Sequence, residues 1–131
     1  MESSIIYEYD ELTKCEFWRD SRTGKVFKFR NGMYQKNYDS YGNTIYIKNG
    51  SNYARFRYNS DNKIICEMHV FEKYNAINKN DKDIYRKIYH YDELGKLIYS
   101  VDSCGNKEFY DDNEHLYYSI HKEAFHHTLL S

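Results

Sequence analysis

Eight clusters of Asp, Asn and Gly punctuate the chain: Asp20–Gly24, Asn31–Gly32, Asp39–Asn43, Asn49–Asn52, Asn59–Asn62, Asp92–Gly95, Asp102–Asn106 and Asp111–Glu114. These residues favour tight turns for separate physical reasons. Gly tolerates positive φ, and Asp and Asn side chains bond back onto nearby backbone amides. Asn-Gly suits a type I′ hairpin turn with two positive-φ positions, whereas Asp-x-x-Gly suits a type I turn that ends in a left-handed Gly. Turns this close together leave no room for helices of ordinary length, so they restrict the chain to short strands.

The runs between the turns alternate. In KVFKFR, Val26, Lys28 and Arg30 face one way and Phe27 and Phe29 the other. In YARFRY, Arg55 and Arg57 oppose Ala54, Phe56 and Tyr58; Leu97, Tyr99 and Val101 share one face, as do Leu116, Tyr118 and Ile120. Period two with short loops predicts an antiparallel meander. The expected fold is all-β: one domain over residues 1–131 with nine or ten short strands, as a strongly curled sheet or a two-layer sandwich that buries one face. Only the tail HKEAFHHTLL has helix-like composition, enough for a short terminal turn. A polar segment, Asn75–Asp83, divides the meander in two.

Composition agrees with a sheet protein. Of 131 residues 16 are Tyr, which favours a half-buried pleated surface, and Pro is absent. The net charge of −1 gives no whole-molecule field toward nucleic acid or membrane. The charge is segregated, however: residues 14–73 carry twelve bases and six acids, and residues 74–131 carry ten acids and seven bases. The start, MESSIIYEYDELTK, has neither the basic nor the apolar region of an export signal, and no apolar run reaches membrane-spanning length. Three Cys at long spacings fit reduced thiols, so a cytoplasmic location is expected.

The chain resembles a known repeat. Tyr91-Asp-Glu-Leu-Gly-Lys-Leu97, then Asp102-Ser-Cys-Gly-Asn106 and Phe109-Tyr-Asp111, is similar to the YD repeat of bacterial RHS proteins. Partial copies stand at Tyr9-Asp10, Tyr38-Asp-Ser-Tyr-Gly-Asn43 and Tyr58-Asn-Ser-Asp-Asn-Lys-Ile64. The resemblance implies that each unit is a β-hairpin. In the family, long arrays of such units form a shell around a toxic domain, and the pattern carries no catalytic residue. In size and character the chain is also similar to the cytosolic immunity proteins of polymorphic toxin systems, those of contact-dependent inhibition and RHS loci.

Catalytic signals are sparse. No nucleophile stands in a recognisable motif, and the Gly residues fall in turns rather than in a phosphate loop. His115, His121, His126 and His127 lack the spacing of a metal site, and no cofactor is expected. His69 and His90 with a nearby Lys could in principle serve a ribonuclease, a pattern that many sequences offer.

Two binding surfaces remain. The acidic one comprises Asp92, Glu93, Asp102, Glu108, Asp111, Asp112 and Glu114, with Tyr110 and Tyr117 beside them. Carboxylates next to Tyr suit a surface that grips a basic protein cleft, so the leading expectation is an immunity protein whose partner is a cognate toxin domain, a nuclease by preference. The basic one is carried by the strands at residues 25–30 and 53–58, with Lys25, Lys28, Arg30, Arg55 and Arg57 interleaved among Phe27, Phe29, Tyr53 and Phe56. It suits RNA or single-stranded nucleic acid, although alternating cations also keep a sheet soluble. A purely structural YD-repeat module is the third alternative.

Overall fold

The computed structural model describes residues 4–73 and 81–121. Among them are eleven strands and no helix. The first six are β1 (Ile5–Asp10), β2 (Cys15–Asp20), β3 (Val26–Asn31), β4 (Tyr34–Tyr38), β5 (Thr44–Asn49) and β6 (Asn52–Tyr58). The rest are β7 (Ile64–Glu72), β8 (Lys82–Tyr91), β9 (Leu97–Asp102), β10 (Lys107–Tyr110) and β11 (Leu116–Ile120). Their order in the sheet is their order in the chain, β1 to β11, so the expected antiparallel meander holds. The strands number eleven rather than nine or ten, and all are joined in one sheet whose ends, β1 and β11, do not pair. The terminal helical turn expected in HKEAFHHTLL falls outside the described residues, as does most of the 75–83 connection.

Three kinds of hairpin loop set the register. In the first, Asp39, Asn59, Asp92, Asp102 and Asp111 each open a loop in which the first residue's Oδ1 accepts the amides two and four residues ahead, at 2.9–3.0 Å. The fourth position has positive φ: Gly42 (88°), Asn62 (62°), Gly95 (83°), Gly105 (86°) and Glu114 (63°). Register shifts beside these loops, at Asn37/Tyr38, His90/Tyr91 and Phe109/Tyr110, mark the bulge that such a turn introduces. In the second kind the loop is one residue longer. Asp10 and Asp20 accept the amides of Lys14 and Gly24, whose φ values are 64° and 73°.

The third kind departs from the sequence reading. Asn31 pairs with Tyr34 and Asn49 with Asn52, so the two-residue loops are Gly32-Met33 and Gly50-Ser51. Only the Gly of each loop has positive φ, at 60° and 64°. These are turns of the II′ kind, with Gly first, and not type I′ turns centred on Asn-Gly. Both registers put Tyr34 on the face of Phe29; what changes is its cross-strand partner, which is Asn31 rather than Phe29. Tyr34 stands with Phe29, ring centres 6.2 Å apart.

The described residues form two compact units, 4–56 with 69–73 and 81–83, and 57–68 with 84–121. In the first unit the registers align two cross-strand rows on one face. One runs Tyr7, Trp18, Lys28, Asn37, Tyr46, Arg55, and its neighbour runs Tyr9, Glu16, Arg30, Gln35, Lys48, Tyr53. The opposite face carries the row Glu8, Phe17, Phe29, Lys36, Ile47, Ala54. Cys15, Ala54 and Val70 are the buried apolar residues among those described, so ladders of touching rings do much of the work of a core. Phe17 packs on Phe29 at 5.3 Å, and His69 lies between Phe56 (5.8 Å) and Phe71 (6.1 Å).

The second unit divides its faces more sharply. One carries an aromatic ladder, His90–Tyr99–Phe109–Tyr118, with successive ring centres 4.3, 6.1 and 5.9 Å apart. The other carries polar pairs: Tyr85 to Asp102 (3.1 Å), Tyr89 to Glu67 (2.8 Å), Lys87 to Glu108 (2.8 Å), and Ser100 with Tyr110 (3.3 Å). Ser100 is 1% exposed, and its small side chain lets these long groups close over it.

Candidate functional site

Strands of a meander alternate in direction, so the loops of the second unit lie at two ends. The β6–β7, β8–β9 and β10–β11 loops share one end, and the β9–β10 loop is at the other. Asp102 opens that last loop and is therefore separated from Asp92 and Asp111 by the length of β10, roughly 15 Å. The structure does not bring the nine candidate residues together as one patch.

Most of the acids are committed within the chain. Asp92 and Asp111 each accept two loop amides at 2.9 Å, and these bonds hold the Asp111 carboxyl below its usual pKa, led by the one from His115. Burial works against the Asp102 carboxylate, but bonds from Asn106, Tyr85 and Cys104 outweigh it and keep its pKa low. Glu108 pairs with Lys87. Burial of Lys87 opposes its charge, yet Glu108 raises its pKa on balance. Glu114 reaches from its own loop to accept the Leu97 amide at 2.8 Å, and Tyr110 shares a hydrogen bond with Ser100.

Glu93, Asp112 and Tyr117 remain, all exposed and with no side-chain hydrogen bond or ion pair among the described residues. Glu93 and Asp112 occupy the second position of their loops, just after the Asp that bonds back. Both are exposed at the tips of their loops. The β6–β7 loop offers Asp61 at the same end, and the β8–β9 loop adds Leu94, 84% exposed. Alternate hairpins are two strands apart, so these tips repeat at about 10 Å. The sequence reading missed Asp61 and Leu94; their place in the Asx loop was the signal that could have found them.

The other chemical groups are engaged differently. His90 stacks on Tyr99 at 4.3 Å, and His69 stacks in the first unit on Phe71, so each ring is held in a ladder. Among the described residues no group of three His, Cys, Asp or Glu could hold a metal ion. Cys15, Cys66 and Cys104 are free thiols. A cleft of about 340 Å³ in the first unit is lined by Asp20, Arg22, Lys25, Phe27 and Asp39. Both of its acids bond to their own loops, and Lys25 donates to the Ser40 carbonyl at 3.1 Å. No helix among the described residues is long and apolar enough to cross a membrane. No protein-family model matches the chain, and no curated protein matches it.

Proposed function

We propose that the chain is a non-catalytic binding protein that neutralises a toxin domain, preferably a nuclease, by covering its active cleft. The observation that carries this reading is the row of outward acids at one end of the second unit, Asp61, Glu93 and Asp112, with exposed Leu94 among them. A cleft that binds nucleic acid is basic, so carboxylates spaced along a row attract it and set its register. Leu94 and Tyr117 add apolar area where a docked partner excludes water. Each tip is braced by its own Asx bonds, so little conformational freedom is lost on binding. The likeness of residues 91–111 to the YD repeat of RHS proteins, which enclose toxic domains, supports the same direction.

Titration calorimetry against the toxin domain encoded by the neighbouring gene tests the reading, together with protection of cells expressing that toxin. A complex is expected, weakened tenfold or more by combined Asp61→Lys, Glu93→Lys and Asp112→Lys. Absence of a complex together with absence of protection rejects it.

A further inference from the structure

We infer that the face of the first unit bearing Trp18 binds single-stranded nucleic acid. This surface is separate from the acidic tips and does not depend on what they contact. The sequence places Lys28, Arg30 and Arg55 among Phe27, Phe29 and Phe56, but alternation sends those three Phe to the opposite face. The rings that stand with the cations are Tyr7, Trp18, Tyr46 and Tyr53.

The two rows across β1–β6 hold one acid, Glu16. It is already satisfied by Arg30, through two bonds of 3.0 Å, and by the Tyr7 hydroxyl at 2.9 Å. Lys48 and Arg55 meet no carboxylate among the described residues, and Lys28, whose charge acts on Glu16, forms no ion pair with it. Lys28 rests 4.7 Å from the centre of the Trp18 ring, and Arg55 lies 5.1 Å from Tyr46 and 5.7 Å from Tyr53. Trp18, Tyr46 and Tyr53 are half-buried, and a cation parked over the open side of such a ring is loosely held. It can swing to a phosphate and leave the ring face to a base.

Between the aromatic ends stand two amides, Gln35 and Asn37, joined by one hydrogen bond of 3.0 Å. Each keeps polar capacity that can meet a base edge. Trp18 and Tyr46 are three strands apart, about 14 Å, a distance that a few nucleotides of extended strand cover. Unpaired cations alone would suit any polyanion. Rings in line with cations, and amides between them, suit exposed bases, which a duplex or an acidic peptide does not offer.

Trp18 is the one Trp of the chain, so its fluorescence reports this face alone. Titration with a twelve-nucleotide oligouridine at low salt is expected to quench it, with a log–log salt slope of about −2 if three phosphates are contacted. Lys28→Ala with Arg55→Ala should weaken binding tenfold or more, whereas Lys36→Ala, on the opposite face, should leave it unchanged; circular dichroism confirms that each variant is folded. Absence of quenching, an equal loss with Lys36→Ala, or equal binding of a poly-glutamate peptide overturns the inference.

Discussion

The Tyr85 hydroxyl donates to Asp102 Oδ2 at 3.1 Å, so a strand residue is tied to the first residue of the β9–β10 loop. Burial and this bond push the Tyr85 pKa up to about 12. Burial and the Glu67 carboxylate raise Tyr89 as well. A tyrosine whose folded pKa is raised stabilises the fold below its unfolded pKa, about 10, and that contribution is lost as pH rises above it. Stability should therefore fall from about pH 10 upward. Tyr85→Phe should make that fall shallower, at a cost of about 1 kcal/mol at neutral pH, read by urea unfolding at several pH values.

Asp102 titrates with the opposite sign. Its folded pKa is depressed, so its contribution is present above the unfolded value near 4 and disappears as pH falls through the lower folded value. The stability difference between the native chain and Asp102→Asn should be constant from pH 6 to 8 and shrink below about pH 4. A difference that persists unchanged to pH 2 would contradict the assignment.

The positive-φ positions predict two opposite effects. Lys14, at φ 64°, occupies a conformation that costs an L-residue energy, so Lys14→Gly should stabilise by about 0.5 kcal/mol after its own entropy cost. Gly95, at φ 83°, would place an added Cβ 3.2 Å from Lys63 Nζ, and Lys63 also donates to the Gly95 carbonyl. Gly95→Ala should destabilise by about 1–2 kcal/mol, seen as a lower Tm.

Lys87 and Glu108 form a half-buried pair at 2.8 Å. Lys87→Met should cost about 1–3 kcal/mol, because it leaves Glu108 with its charge uncompensated. Adding Glu108→Gln should recover part of that loss, and a double-mutant cycle measures the coupling.

The strand pattern was legible where apolar residues alternate, as in Val26–Asn31 and Leu97–Asp102. It was faint in β2, CEFWRD, where adjacent Phe17 and Trp18 point to opposite faces and hide the period. The Asx loops were legible as turns. Which acids they consume was not, because a carboxylate's partner depends on where the loop folds its amides. Asp92 and Asp111 therefore looked like surface charge and are braces. Trp18 went unnoticed as a partner of Lys28 because ten residues separate them, and only the β2–β3 register makes them neighbours.

Strand order that copies chain order has a consequence for how the molecule assembles. Apart from the β7–β8 connection, each strand finds its partner across a loop of five residues or fewer, so few pairings require a distant segment to be captured. Structure can grow hairpin by hairpin, and stability then accumulates as a sum of neighbouring terms, as in a linear array. In such a chain, duplication or loss of a whole hairpin changes length without abolishing the fold, which is an evolutionary freedom closed to proteins built around a single core.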